Sequence, residues 1–238
     1  MTQSIHTPSP VFCALDTPDL ARAEQLAAQL SGHVGGLKIG MEFFYAHGSA
    51  GYQAIAAHAV PIFLDLKLHD IPNTVASAVR ALAPLRPTLL NVHAGGGAAM
   101  MKAASDAAKE AGSAAPCMLA VTVLTSLSEA DLHDMGITGM PEDQVKRLAA
   151  LAHANGMQGV VCSAHEIAIL RAEMGPDFKL IVPGIRPAGS DTHDQKRVMT
   201  PPQALQAGAD ILVIGRAITG SDNPGQAAQE IAVSLAKN

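Results

Sequence analysis

The sequence predicts a parallel (β/α)8 TIM barrel that forms a single domain over residues 1–238. Short apolar runs recur eight times along the chain, and most are followed by an alanine-rich segment with helical spacing. The runs lack the strict alternation of half-exposed strands, which is typical of parallel strands buried on both faces. The length of 238 residues is also close to the ~250 residues that such barrels usually need.

The predicted strands are short and rich in Val, Ile and Leu. They span residues 11–15, 36–39, 62–66, 89–93, 118–124, 159–162, 180–182 and 211–214. Helical spacing of apolar residues predicts helices over 19–30, 73–83, 98–111, 141–154, 166–174 and 224–236. Thr17-Pro18 and Asp222-Asn223-Pro224 mark helix starts, because a capping residue precedes a proline in each.

A doubly wound parallel sheet is the structural alternative to the barrel. That fold usually carries a glycine-rich turn after its first strand. Here the first strand ends in Leu15-Asp16-Thr17-Pro18, which favours the barrel.

Composition narrows the classes of function. Hydrophobic residues make up 48% and charged residues 16% of the chain, which excludes a disordered protein. A formal net charge of −5 argues against nucleic-acid binding. No signal peptide is recognisable, and no stretch approaches the ~18 apolar residues of a membrane span. Cys13, Cys117 and Cys162 lie in apolar runs, which predicts reduced thiols and a cytoplasmic protein.

Ionisable residues stand where the predicted strands end, in an otherwise apolar chain. In (β/α)8 barrels the chemistry takes place at the carboxyl ends of the strands. The polar residues at these ends include Asp16, Lys38, Asp65, Lys67, Asn91, His93 and Thr125. Because Lys and Asp are rarely buried unless paired, we expect these residues to form a site at the barrel mouth.

The densest group of charges surrounds the third predicted strand. Strand periodicity points Asp65 and Lys67 to the same face, and Lys38 on the neighbouring strand should reach Asp65. Together with Asp70, just past the strand, this predicts an alternating Lys-Asp-Lys-Asp array that holds Lys67 as a charged proton donor. The alternative is a structural ion-pair network in which Asp70 only caps the next helix.

The ends of the last two strands predict a phosphate site. Loops after strands 7 and 8 commonly bind phosphate in barrels, and here they carry Gly184 with Arg186 and Gly215 with Arg216. Glycine lets backbone N–H groups approach an anion, and arginine offers bidentate hydrogen bonds to it. The long polar segment 187–200 is interpreted either as a lid or as an ordinary loop.

His93 is predicted to be a buried, hydrogen-bonded structural residue rather than a base or a metal ligand. The other histidines are scattered, and no HExxH or CxxC spacing occurs. The sequence therefore predicts no metal site and no bound cofactor.

The run Asp65-Leu-Lys67-Leu-His-Asp70-Ile-Pro-Asn-Thr74 resembles the DxKxxDIPNT signature of the orotidine 5′-phosphate decarboxylase family. The resemblance covers nearly the whole chain. Further matching segments are Leu15-Asp16, Gly36-Leu-Lys38-Ile-Gly40, Val121-Thr-Val-Leu-Thr125-Ser126, Val182-Pro183-Gly184-Ile185-Arg186-Pro187, Asp194-Gln195-Lys196-Arg197-Val198 and Ile214-Gly215-Arg216.

The resemblance implies decarboxylation of orotidine 5′-phosphate to UMP, the last step of de novo UMP synthesis, without cofactor or metal. It implies that Lys67 protonates C6 of the pyrimidine, that Asp65 and Asp70 position Lys67, and that Asp70 lies against the departing carboxylate. The implied binding residues are Asp16 and Lys38 for ribose, Thr125 and Pro183 for the base, and Arg186, Gln195, Gly215 and Arg216 for phosphate. The family is also dimeric, which implies that Asp70 and Thr74 reach the site of the partner subunit.

Two rival functions stay open. A magnesium-dependent relative, such as a hexulose-phosphate synthase, shares DxKxxD and needs an acidic ligand near the second strand, where Glu42 is the nearby candidate. A non-catalytic barrel that only binds a phosphorylated ligand is the other. Lys38 and the Ile-Pro-Asn-Thr extension favour the decarboxylase over the magnesium-dependent relative. The intact Lys-Asp-Lys-Asp set argues against the non-catalytic barrel.

Overall fold

The computed structural model describes residues 9–186 and 199–236, and its strands close into a parallel barrel in sequence order. The strands are β1 Val11–Ala14, β2 Gly36–Gly40, β3 Ile62–Leu68, β4 Leu89–His93, β5 Cys117–Val121, β6 Gly159–Val161, β7 Lys179–Pro183 and β8 Ile211–Ile214. Each pairs in parallel with the next, and β8 pairs with β1. The predicted TIM barrel is therefore confirmed, whereas a single domain over 1–238 stays a prediction.

Helices connect the strands and cover the outside of the barrel. They are α1 Leu20–Leu30, α2 Met41–Ala56, α3 Pro72–Leu82, α4 Gly97–Lys109, α5 Glu129–Asp134, α6 Pro141–Ala154, α7 Ile167–Met174, α8 Pro201–Ala207, α9 Arg216–Thr219 and α10 Pro224–Ala236. Within the described ranges, none of these helices is long and apolar enough to cross a bilayer.

Two apolar cores hold the barrel together. One lies between the strands and the helices, and a smaller one fills the barrel interior. The interior core consists of Phe12, Ala14, Phe63, Leu89, Cys117, Leu119, Ile181, Ile211 and Val213. These residues are spaced by two along their strands, so the next inward position towards the carboxyl end is Asp65 on β3 and Asn91 on β4. The barrel is thus filled with apolar side chains below and lined with polar ones at its mouth.

Some element boundaries differ from the prediction for local reasons. The first helix begins at Leu20, because Asp19 rather than Thr17 accepts the capping hydrogen bond from the Arg22 N–H. Helix α2, which the sequence pattern did not indicate, is kinked at Gly48, whose φ of 57° is not helical and favours glycine. The predicted start at Pro224 is confirmed, with the Asn223 side chain accepting from the Gln226 N–H at 3.1 Å.

An arginine clamp joins the amino ends of the last two strands, opposite the mouth. Arg171 on α7 donates to the carbonyl oxygens of Gly175, Phe178 and Gly208, at 2.6, 2.8 and 2.7 Å. Its guanidinium also pairs with Asp210, the residue before β8. With side chains only 21% exposed, both partners of this ion pair are largely shielded from water.

Replacing Arg171 by methionine is expected to lower the free energy of unfolding by about 3 kcal/mol, since several partly buried acceptors lose a charged donor. Urea denaturation measures the change. The matched control is Arg80→Met, which removes a bidentate but exposed ion pair with Glu110 and should change stability much less. Equal losses in the two variants would show that the clamp has no special weight.

Candidate active site

A chain of four alternating charges lies at the barrel mouth. Lys38 Nζ is 3.1 Å from Asp16 Oδ1 and 3.5 Å from Asp65 Oδ2. Lys67 Nζ is 2.6 Å from Asp65 Oδ1. Three adjacent strand ends therefore supply one continuous network, and Lys38 reaches Asp65 as expected from their neighbouring strands.

Asp65 is the buried centre of this charge chain, at 8% exposure. Burial alone raises the pKa of its carboxyl group. The positive charges of Lys38 and Lys67, with hydrogen bonds from Lys67 and Asn91, outweigh burial and hold the pKa below the ordinary 3.8. Asp65 is therefore ionised at neutral pH and fixes both ammonium groups.

Lys67 is placed by a bulge in β3 rather than by regular strand periodicity. Leu64 pairs with Leu90 but Leu68 pairs with Val92, so β3 has extra residues between these pairs. Lys67 has a left-handed φ of 50°, which costs a non-glycine residue about 1–2 kcal/mol. The expected meeting of Lys67 with Asp65 occurs, but through an irregular backbone that the strand pattern does not reveal.

Asn91 is a site residue to which the sequence analysis assigned no role. It is fully buried at 0% exposure, donates from Nδ2 to Asp65 Oδ1 at 2.7 Å, and accepts the Lys67 backbone N–H at 2.8 Å. The signal for it was an amide in the otherwise apolar run Leu89-Leu-Asn91-Val92.

Asp70 lies outside the charge chain. It is exposed on the loop between β3 and α3, and its Oδ1 accepts from the Ile71 N–H at 2.7 Å. Across residues 9–186 and 199–236, no ion pair joins Asp70 to a basic side chain. The alternation inside one chain therefore runs through Asp16 instead of Asp70. Thr74, in the first turn of α3, is exposed as well.

His93 is half-buried rather than buried as predicted, and it makes the hydrogen bond expected of a structural residue. Its Nδ1 accepts from the Gly95 N–H at 3.1 Å, and its ring stacks on His69 with centroids 5.1 Å apart. Burial, followed by the charges of His69 and Lys67, lowers the pKa of His93. The ring is thus neutral at physiological pH.

The predicted phosphate residues follow the ends of β7 and β8. Arg186 is buried at 9% exposure, and its backbone N–H donates to the Met199 carbonyl at 3.2 Å. Gly215 lies beside the charge chain, since a Cβ there would stand 3.5 Å from Asp16 Oδ2. Arg216 begins α9 and is exposed.

The remaining predicted residues have simple placements. Pro183 is the last residue of β7, and Thr125 is exposed on the loop after β5. Gln195 and the rest of 187–198 lie outside the described residues. Glu42 is exposed in the first turn of α2, and the described part of the chain holds no group of three His, Cys, Asp or Glu side chains suited to a metal ion.

A closed parallel barrel with buried charges at the carboxyl ends of its strands has the architecture of the (β/α)8-barrel enzymes. Residues 9–231 match the sequence profile of the Orotidine 5'-phosphate decarboxylase / HUMPS family. The chain belongs to this family, which confirms the resemblance drawn from the motifs.

Individual relatives agree with the family profile. The chain is 56% identical to the orotidine 5'-phosphate decarboxylase of Rhodospirillum rubrum over 231 residues, which are 95% of this chain and 94% of that protein. It is 51% identical to the protein of the same name from Paramagnetospirillum magneticum, covering 95% and 98%. The crystal structure of orotidine 5'-phosphate decarboxylase from Lactobacillus acidophilus is 37% identical, with a TM-score of 0.85 over 95% of this chain and 99% of that one.

Proposed function

We propose that this protein decarboxylates orotidine 5′-phosphate to UMP without metal or cofactor, in the last step of de novo UMP synthesis, with Lys67 as the proton donor. The observation that carries the proposal is the Lys67 ammonium group, held 2.6 Å from the buried Asp65 carboxylate at the barrel mouth. The names of its 50–56% identical relatives support the choice of substrate.

The reaction explains why a fixed lysine is needed. When the bond between C6 and the carboxylate breaks, CO2 leaves and the electron pair stays on C6, where no adjacent group can delocalise it. A preorganised cation close to C6 stabilises this charge without reorganisation of solvent. Lys67 Nζ then gives a proton to C6, which completes UMP.

Asp16 and Lys38 would hold the ribose hydroxyl groups. They form the outer pair of the charge chain, with Asp16 61% exposed at its side chain and thus accessible to a ligand. Thr125, on the loop after β5, and Pro183, at the end of β7, would contact the base. This arrangement would set the pyrimidine ring over Lys67.

Arg186, Gln195, Gly215 and Arg216 would bind the phosphate group. Binding energy from a phosphate that does not react can be used to hold the reacting ring in place. Of the described phosphate residues, Arg216 combines exposure with a position at the end of β8. It therefore gives the simplest test of this subsite.

Arg216→Ala is expected to raise KM for orotidine 5′-phosphate about 10–100-fold, since a charge-assisted hydrogen bond is worth about 1.5–3 kcal/mol. The same variant should change kcat/KM for the phosphate-free nucleoside orotidine little. Steady-state kinetics on the two substrates measure the difference, with Arg80→Ala as an arginine control outside the site. Equal losses on both substrates would assign Arg216 a structural role.

The protein would act as a homodimer with shared active sites. Asp70 and Thr74 are exposed in the protomer, and the neighbouring Ile71 is an exposed apolar side chain at 68%. A partner subunit would cover this loop, and Asp70 would lie beside the partner's Lys67.

The buried thiols of Cys13, Cys117 and Cys162, which form no disulfide, support a cytoplasmic location.

The test of the function is the loss of orotidine 5′-phosphate absorbance when purified protein is added. Activity is expected to survive exhaustive treatment with a chelator. Activity that disappears on chelation and returns with Mg²⁺ would overturn the metal-free mechanism and favour the magnesium-dependent alternative. Binding of UMP without any turnover would favour the non-catalytic barrel.

A further inference from the structure

We infer that Asn91 is a positioning residue that fixes Lys67 relative to Asp65, an inference that rests on the proposed function. Asn91 is 0% exposed and offers no surface to a ligand. An effect of its replacement on turnover must therefore pass through the residues it touches. These are Asp65, through Nδ2, and the backbone of Lys67, through Oδ1.

The side chain of Asn91 takes the place of a missing strand partner. Between the pairs Leu64–Leu90 and Leu68–Val92, three residues of β3 lie opposite the single residue Asn91 of β4. The bulge removes regular ladder bonds there, and the Lys67 N–H would be left unpaired. A carboxamide carries an acceptor and an N–H donor, as a peptide unit does. The Asn91 side chain can therefore accept the hydrogen bond that a backbone carbonyl of a regular strand pair would accept.

The hydrogen bond to Lys67 also supports a strained backbone. The left-handed φ of 50° at Lys67 is unfavourable, and such conformations persist only where the surroundings hold them. The Asn91 Oδ1 at 2.8 Å from the Lys67 nitrogen is the contact that holds it. This conformation in turn determines where the lysine side chain leaves the strand.

The other hydrogen bond of Asn91 fixes the carboxylate to which the ammonium binds. Asp65 Oδ1 receives both Asn91 Nδ2 at 2.7 Å and Lys67 Nζ at 2.6 Å, while Oδ2 faces Lys38. The side-chain amide of Asn91 thus hydrogen-bonds both to the backbone N–H of Lys67 and to the Asp65 carboxylate that binds the Lys67 ammonium group. An ionised aspartate at 91 would instead repel Asp65, and an alanine would remove the hydrogen bonds to both groups.

The test compares Asn91→Ala and Asn91→Asp with the wild type and with Ser105→Ala. Ser105 is a matched control, because it is 2% exposed and its Oγ donates to the Gly156 carbonyl at 3.0 Å, away from the mouth. We measure kcat, the dissociation constant of UMP and the urea midpoint for each variant. Displacement of a catalytic group by about 1 Å can cost about 100-fold in rate.

Asn91→Ala is expected to lose about 100-fold in kcat while UMP affinity stays within about threefold of wild type. Ser105→Ala should keep kcat within about threefold of wild type, even if its urea midpoint falls as far as that of Asn91→Ala. A kcat of Asn91→Ala within about threefold of wild type would overturn the inference. If wild-type protein itself fails to consume orotidine 5′-phosphate, the proposed function is overturned and this inference with it, so the two failures are distinguishable.

Asn91→Asp supplies a readout that a purely structural residue would not change, and it decides the matter if Asn91→Ala does not fold. A protonated carboxyl group at 91 can donate to Asp65 and accept from Lys67, whereas an ionised one repels Asp65. The ratio of the Asn91→Asp kcat to the wild-type kcat should therefore be at least about fivefold higher at pH 5 than at pH 8. His69 and His93 are present in both proteins, so the ratio to wild type removes their contribution. A constant ratio would contradict the positioning role.

Discussion

Replacement of Lys67 by alanine is expected to reduce kcat for orotidine 5′-phosphate by at least about 10³-fold, because in the proposed mechanism the variant loses both the cation beside C6 and the proton that C6 receives. Each factor of ten corresponds to about 1.4 kcal/mol of activation free energy. UMP binding should persist, since the predicted phosphate residues follow β7 and β8 rather than β3. Absorbance kinetics and UMP titration measure the two quantities.

The matched control is Lys179→Ala. Lys179 has a side chain 30% exposed and pairs with Asp210 at 3.0 Å, whereas the Lys67 side chain is 28% exposed and pairs with Asp65 at 2.6 Å. The two substitutions remove lysine side chains of similar exposure from opposite ends of the barrel. Lys179→Ala should leave kcat within about threefold of wild type. A Lys67→Ala protein that retains more than about a tenth of wild-type kcat would contradict the role of proton donor.

A mixture of inactive Lys67→Ala and Asp70→Ala proteins is expected to recover about a quarter of wild-type activity once subunits exchange. If Asp70 serves the partner's site, a mixed dimer contains one doubly damaged site and one intact site. Random exchange makes about half of the dimers mixed, so about a quarter of all sites become intact. Activity is measured after exchange, with the mixed dimer verified by native mass spectrometry.

Lys67→Ala mixed with Asp65→Ala provides the control for complementation. Asp65 and Lys67 contact each other within one chain, so each site of their mixed dimer retains a lesion. This mixture should stay at the mutant baseline. Baseline activity in the Lys67→Ala and Asp70→Ala mixture as well, despite verified exchange, would rule out the shared site.

The barrel could be predicted from the sequence because its strands are buried on both faces and its length fits eight repeats. The ends of individual strands and helices were harder to predict from the sequence where short-range hydrogen bonds determine them. Strand β5 ends at Val121 instead of residue 124, and short helices such as α5 begin at capping boxes. At the start of α5 the Ser128 backbone N–H donates to the Asp131 carboxylate, and the Ser128 Oγ accepts from the Asp131 backbone N–H. Such caps stabilise helices too short to show apolar periodicity.

The charge chain could also be predicted in part. Lys38, Asp65 and Lys67 stand at strand ends, and parallel pairing brings such ends together. The bulge at Lys67 and the role of Asn91 were not visible, because both depend on the register between β3 and β4. Strand periodicity assumes a regular ladder, and no residue in the run marks the point where the ladder breaks.

Closure of the barrel between β8 and β1 brings together groups that the chain keeps far apart. Lys38, Asp65, Lys67 and Asn91 belong to the first hundred residues or so, while Gly215 and Arg216 follow the last strand. The pairing of Cys13 with Ile214 is the seam that sets Gly215 beside Asp16. During synthesis Lys67 is therefore made long before Arg216, and the ring of strands around the mouth is complete only when β8 pairs with β1.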